Sequence, residues 1–281
     1  MQITINQNCT HCSKCVKICP GEVFYQKAPK PEVTVLMPEM CIGCGHCVSV
    51  CPENAIEHAE FPESKVHPVD YGLYPTPEQM MMLIRARRSN RAMTGKEIPQ
   101  DLLHQIEEAA YRAPTASNLQ QVRVQLVTDK DTLRQISGFT IAAFDSVIKF
   151  VDNILGRFIF KRFMPDTYKN LPAFQRMKAE FKNGNDFILR KSSALLIIYT
   201  PKNARFGCED ANLAYQNASL MAECLGVSQF YTGFVLAGSK IKKGKLEKML
   251  NIEGKIQAGM ALGMPVFRYL RYPDRFYPPK F

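Results

Sequence analysis

The sequence predicts an α+β chain of two domains, a small cysteine-dense N-terminal domain and a larger C-terminal one built as a sheet flanked by helices. Three observations predict this. Eight of the ten cysteines fall within residues 1–60, in two copies of one spacing. Beyond residue 76, segments with apolar residues three and four apart are interleaved with short alternating or wholly apolar runs, the marks of helices and strands. The strands do not alternate strictly with helices, which favours an α+β sheet over a doubly wound parallel one. The expected boundaries are 1–60 for the first domain, 61–76 for a linker and 77–281 for the second domain, with a helical insertion at about 139–184.

The first cysteine run is Cys9, Cys12, Cys15 and Cys19 followed by Pro20; the second is Cys41, Cys44, Cys47 and Cys51 followed by Pro52. C-x-x-C-x-x-C-x-x-x-C-P is the run by which bacterial ferredoxins bind [4Fe–4S] clusters, the fourth cysteine of each run ligating the other cluster. Two residues between ligands bring three thiolates onto three corners of one cube, and the three-residue gap lets the fourth reach its neighbour. Cluster one is therefore assigned Cys9, Cys12, Cys15 and Cys51, and cluster two Cys41, Cys44, Cys47 and Cys19. A disulfide framework would need an oxidising compartment, and no secretory segment is recognisable. Zinc sites usually close with two C-x-x-C pairs or add histidines at other spacings. His11 and His46 fall between ligands and are read as loop residues near the clusters.

The 281 residues accommodate two domains, and 46% hydrophobic with 22% charged residues is the balance of an ordinary globular protein. No apolar stretch is long enough to span a bilayer; with no recognisable secretory segment and thiols that a reducing compartment preserves, a cytoplasmic location is expected. The formal charge is +10; two oxidised cubes at about −2 each would leave about +6. A residual positive surface suits an acidic redox partner or phosphate groups. No lysine-rich tail or nucleic-acid motif appears, so nucleic acid is not expected as a partner.

The elements follow in order. Val33, Val35 and Met37 alternate with Thr34 and Leu36, which suggests a short strand before the second cysteine loop. Pro62, Pro68 and Pro75 stiffen the linker. Thr76 as N-cap, Pro77 at the first helical position and Gln79 three residues after the cap predict a capping box and a helix running to Arg88. A second helix is expected from near Pro99 to about Arg112, with Leu102, Leu103, Ile106 and Ala110 on one face and Pro114 ending it. Residues 122–127 alternate as a half-buried strand, whereas 194–199 are apolar throughout, as in a strand buried on both faces. A long helix is expected over 208–225, closed by Gly226, and strands near 228–235 and 256–262. Cys208 and Cys224, on that helix, are read as buried core thiols. The 139–184 segment interleaves phenylalanines with lysines and arginines. It reads as a helical insertion packed on its own domain, or as a lid or a surface for a partner or membrane.

Two constellations carry chemistry in the second domain. Arg87-Arg88-Ser89-Asn90-Arg91 directly follows a helix; guanidinium forks there match phosphate oxygens, and the same charges would also suit a solvated helix end. Ala113-Pro114-Thr115-Ala116-Ser117-Asn118-Leu119-Gln120 is a polar turn between helix and strand, which can equally be a plain helix stop. With Leu225-Gly226, Thr232-Gly233 and Leu262-Gly263-Met264-Pro265 followed by Arg268, Arg271 and Arg275, these segments in this order resemble the nitroreductase family of flavin enzymes, over roughly residues 77–275. With the cysteine runs, the chain resembles the subgroup that carries an N-terminal two-cluster ferredoxin domain.

That resemblance implies FMN bound at the interface of a homodimer. Arg87, Arg88, Ser89 and Arg91 would contact the phosphate, ribitol and ring edge. Pro114, Thr115 and Asn118 would lie along the ring system, and Thr232 and Gly233 would approach its reactive edge. Arg271, or else Arg275, would hold the phosphate. Thr115 stands where the family has serine, and Gln120-Gln121-Val122 replaces its Gln-Pro-Trp. The implied activity is reduction of a small conjugated acceptor, such as a nitroaromatic or quinone, with electrons that enter from an external ferredoxin-type or other low-potential reductant and pass through the clusters to FMN. No general acid stands out. An electron-transfer or redox-sensing module of a larger complex, without a substrate of its own, is the alternative.

Overall fold

The computed structural model describes residues 1–27, 31–151 and 171–276. The chain divides into two compact units, Met1–Pro75 with Ala116–Leu119, and Thr76–Thr115 with Gln120–Phe281.

The small unit is an internal repeat with an offset of 32 residues (Cys41 minus Cys9). Helices α1 (Lys14–Ile18) and α2 (His46–Val50) stand at that offset. So do the left-handed backbones of His11 and Gly43, Ser13 and Gly45, and Glu22 and Asn54. Strand β1 (Ile3–Ile5) pairs antiparallel with β4 (Ile56–His58), and β2 (Phe24–Tyr25) with β3 (Thr34–Val35). The strand expected around Val33–Met37 is thus only two residues long, because the chain turns at Pro38 into a short 3₁₀ segment. Ile3, Val23, Phe24, Val33, Val48 and Ile56 form the core between the cysteine loops.

The larger unit is α+β. Its sheet has the order β5-β6-β8-β7 and every pairing is antiparallel, with β5 Arg123–Val127, β6 Ala194–Thr200, β7 Ser228–Tyr231 and β8 Lys255–Gly263. β6 is central, and residues 194–198 are wholly inaccessible to solvent. Successive side chains on a strand point to opposite faces. Leu195 and Ile197 accordingly join Ile136, Phe144 and Val235 on one side, while Ala194, Leu196 and Ile198 join Leu103, Ile106 and the alanines of a helix on the other. Both faces are covered by helices, which explains a run with no polar alternation.

The predicted capping box is present: Thr76 N–H donates to Gln79 Oε1 at 2.9 Å and Gln79 N–H to Thr76 Oγ1 at 3.3 Å. It opens α3 (Pro77–Ala86), which ends at Arg87, short of Arg88. Helix α4 (Gln100–Tyr111) buries Leu103, Ile106 and Ala110. Helices α5 (Lys130–Val151) and α6 (Leu171–Lys182) are the described parts around the phenylalanine-rich segment. They pack on their own unit: Phe144 and Phe174 stack with centroids 4.7 Å apart, and Phe181 joins the same core. Phe158, Phe160 and Phe163 lie outside the described residues.

Two expectations are corrected. The strand near 228–235 stops at Tyr231, and Gly233–Ile241 is helix α8, since Val235, Leu236 and Ser239 bury at helical spacing. A short aromatic and β-branched run does not separate strand from helix by periodicity. Cys208 and Cys224 are exposed, not core thiols. Helix α7 (Gly207–Cys224) turns Ala211, Ala214, Ala218 and Ala222 inward; at about 100° per residue, Cys224 sits about 200° round from Ala222. The short helix α9 (Lys245–Met249) precedes β8.

Candidate functional site

In the small unit, the cysteines converge in two groups. Cys9, Cys12, Cys15 and Cys51 line one enclosed space with Val33 and Ile56. Cys41, Cys44, Cys47 and Cys19 line another with Phe24 and His58. The local cause is the repeated left-handed backbone within each loop. It turns the chain between ligands, and α1 and α2 then carry Cys15 and Cys47 inward. Backbone N–H groups point at sulfur: Ala55 at Cys51 Sγ (3.2 Å), Val23 at Cys19 Sγ (3.4 Å) and Gly43 at Cys41 Sγ (3.4 Å). The first two donors are again 32 residues apart.

These residues fit iron–sulfur cubes. Thiolate sulfur is the soft donor such clusters take, and N–H···S bonds stabilise the charge it carries. Burial pushes the Cys47 thiol up to about 11 and raises Cys15 as well, so the thiolates need a cationic centre to form. Among the described residues no three His, Cys, Asp or Glu groups converge on a single-ion position; in a cube each cysteine holds a separate iron, so such convergence is not required.

His58 was not singled out from the sequence. It is 5% exposed and lies beside Cys41, with Nε2 3.4 Å from Sγ. Burial holds its imidazole below the usual value. The one available signal was a histidine in a short strand seven residues after a cysteine ligand.

In the larger unit the Arg-Arg-Ser-Asn-Arg segment leaves the C-terminus of α3 and runs beside β7. The Arg88 carbonyl accepts from Gln229 Nε2 at 3.4 Å, and the Arg91 guanidinium lies 5.6 Å from the Phe230 ring centroid. Arg91 Nη1 also donates to the Ser89 carbonyl at 3.5 Å. Asn90 is buried and structural, donating to the Phe267 carbonyl at 3.1 Å and accepting from Ala92 N–H at 3.0 Å. Gln229, itself buried, accepts from Tyr215 Oη at 2.8 Å. Burial pushes the Tyr215 hydroxyl well above its usual value, against the pull of the Arg87 and Arg91 charges.

β7 leads directly to Thr232 and Gly233. Thr232 is 2% exposed, and its Oγ1 has no hydrogen-bond partner among the described residues. Gly233 opens α8, and a Cβ there would meet no atom within 4 Å. An orphaned hydroxyl, an open helix start and the Arg91 guanidinium over Phe230, two residues before Thr232, fit a phosphorylated ring cofactor.

The remaining candidates are distributed. Pro114 and Thr115 follow α4, and Thr115 Oγ1 accepts from Gln120 N–H at 3.0 Å. Asn118 belongs to the small unit, where its amide donates to the carbonyls of Gly43 (2.7 Å) and Ile42 (3.2 Å). Arg271 lines a cavity with Arg268, Glu223, Asn90 and Tyr272. Arg268 and Arg87 oppose the burial that raises the Glu223 carboxyl.

Comparison with known proteins accords with both halves. A family model described as 4Fe-4S dicluster domain matches residues 8–65. An FMN reductase [NAD(P)H] from Bacillus subtilis (strain 168) is 27% identical over 188 residues, covering 66% of this chain and 66% of that protein. The chain thus spans just under two thirds of that relative's length. A nitroreductase with bound FMN from Bacteroides fragilis NCTC 9343 superposes with a TM-score of 0.53 at 20% identity, over 72% of this chain and 97% of that one. A nitroreductase with bound FMN from Desulfitobacterium hafniense DCB-2 gives 0.52 at 16% identity, over 69% and 93%. At those identities the likeness is one of fold. The nitroreductase family model matches residues 84–264, well over half of the sequence, and the chain therefore belongs to the nitroreductase family.

Proposed function

We propose that this protein is an FMN-dependent oxidoreductase in which two [4Fe–4S] clusters pass electrons to FMN for reduction of a small conjugated acceptor, such as a nitroaromatic or a quinone. The observation that carries the reading is the presence, on one nitroreductase-family chain, of two enclosed spaces each lined by four cysteines. When bound, the cubes supply one-electron transfer, and FMN supplies the exchange between one- and two-electron chemistry.

The chain's own residues hold and orient these groups. Cys9, Cys12, Cys15 and Cys51 ligate one cluster, and Cys41, Cys44, Cys47 and Cys19 the other. Arg87, Arg88, Ser89, Arg91 and Arg271 neutralise and grip the flavin phosphate and polar edge. Pro114 and Thr115 bear on the ring system. The orphaned Thr232 hydroxyl and the amide at Gly233 donate to its polar edge, where preorganised donors stabilise developing negative charge. The protein works as a homodimer in the cytoplasm and takes electrons from an external low-potential reductant. Among the described residues no helix is long and apolar enough to cross a membrane.

Anaerobic purification with iron, sulfide and flavin counts tests the reading, followed by mixing of the dithionite-reduced protein with a nitroaromatic. About eight irons and one FMN per chain, with acceptor reduction, support it. Iron without FMN removes the enzyme. Both cofactors without acceptor turnover would instead favour an electron-transfer module.

A further inference from the structure

His58 has both ring nitrogens engaged inside the small unit. Nδ1 accepts from the backbone N–H of Glu60 at 3.2 Å. A backbone amide can only donate, so Nδ1 carries no proton and the hydrogen of the neutral ring sits on Nε2. Nε2 faces Cys41 Sγ at 3.4 Å. The ring cannot swing away: His58 pairs with Ile3 in the β1–β4 ladder, and its ring leans on Phe61 with centroids 4.9 Å apart.

Among the described residues the other cavity lacks this donor. The repeat offset that relates Cys41 to Cys9 relates His58 to Gln26 (58 − 32). The Gln26 amide donates to the carbonyls of His11 at 3.1 Å and Pro31 at 2.7 Å, and its Oε1 accepts from Ser13 Oγ. Cys9, the counterpart of Cys41, has among the described residues only the His11 ring nitrogen, at 4.0 Å. Among the described residues, Cys41 Sγ thus faces a buried imidazole N–H besides the Gly43 amide, and Cys9 faces no buried side-chain donor of that kind.

We propose that the His58 Nε2–H donates to Cys41 Sγ and holds the cluster of Cys41, Cys44, Cys47 and Cys19 at a higher reduction potential than the cluster of Cys9, Cys12, Cys15 and Cys51. The step is a one-electron reduction of a cube, with no bond broken and no proton taken up. The added charge is shared with the thiolate sulfurs, and a fixed donor on one of them stabilises the reduced form more than the oxidised form. Electrons entering the pair from the external low-potential reductant then settle on the His58 side. His58 is a positioning and tuning residue, since it acts through a ligand. The inference rests on the cluster reading given above.

The test is a redox titration of full-length holoprotein, purified anaerobically and followed by electron paramagnetic resonance, with iron and sulfide counted in every sample. The wild type should show two separate midpoints at least about tenfold apart in reduction equilibrium, which is about 59 mV for one electron. His58→Phe should lower the higher midpoint by a similar factor and leave the lower one in place. His58→Gln, which can keep an N–H near the sulfur, should recover part of the shift. Coincident wild-type midpoints overturn the proposal without any variant. So does a fully loaded His58→Phe or His58→Gln protein whose midpoints match the wild type, or one in which both midpoints move equally. A wild-type chain that holds no iron would instead sink the cluster reading itself.

Discussion

Gly259→Ala is the substitution whose consequence the structure makes most calculable. Gly259 lies on β8, and its carbonyl accepts from Thr232 N–H at 3.0 Å. A Cβ at Gly259 would stand 2.5 Å from Thr232 Oγ1, against an ordinary contact of 3.4 Å or more. The shortfall is 0.9 Å (3.4 − 2.5). Thr232 cannot yield easily, because it is 2% exposed and branched at Cβ. Overpacking of this kind costs about 1–3 kcal/mol. In a unit of roughly 200 residues that lowers the melting temperature by about 2–4 °C per kcal/mol, hence by about 2–12 °C. In the FMN-free protein Thr232→Ala alone should be nearly neutral, since it deletes a buried hydroxyl that has no hydrogen-bond partner among the described residues. Combined with Gly259→Ala it should restore most of the loss, a coupling of about 1 kcal/mol or more in the double-mutant cycle. Thermal scans by circular dichroism read all four proteins. A Gly259→Ala protein that melts with the wild type would refute the close approach, as would a double variant no more stable than the single one.

Cys51→Ser should lower the iron content from about eight to about four per chain and remove the same paramagnetic signal as Cys12→Ser; loss of the Cys44→Ser signal instead would overturn the crossed ligand sets. Leu196→Ala opens a cavity in a fully buried position of β6 and should cost about 2–5 kcal/mol, read as a lower urea midpoint at unchanged slope. The hydrogen bond from Lys178 holds the Asp145 carboxyl below its usual value, with Lys149 adding to the effect. A depressed folded value means a contribution present above the unfolded value, about pH 4, and lost as pH falls through the folded one. Asp145→Asn should therefore weaken the α5–α6 contact at neutral pH and flatten the acid limb of the stability curve; an unchanged acid limb would exclude the pair.

Local chemistry explains why much of the architecture was readable. The capping box at Thr76 and Gln79, the unbroken apolar run at 194–198 and the closing Gly226 are each signals carried by a few neighbouring residues. The 228–241 stretch misled because Phe230, Tyr231, Phe234 and Val235 suit strand and helix alike, and only packing against α5 and the sheet selects a helix after Thr232. Cys208 and Cys224 misled because a small sulfur side chain is common in cores, while the face it occupies depends on which stripe of α7 meets the sheet. Of the candidate flavin residues, the arginine segment and Thr232-Gly233 are linked through β7. The Asn118 amide, by contrast, is engaged by carbonyls of the second cysteine loop.

Ligand spacing alone determined the cluster chemistry of this protein, because three thiolates two residues apart can close on one cube whatever surrounds them. The motif order likewise carried the family resemblance. Only the tertiary structure decided what distinguishes the two cysteine cavities. Pairing of β1 with β4 carries His58 to Cys41, whereas the equivalent Gln26 is bound by its own loop. Such contacts join residues far apart in the chain, and no local pattern encodes them.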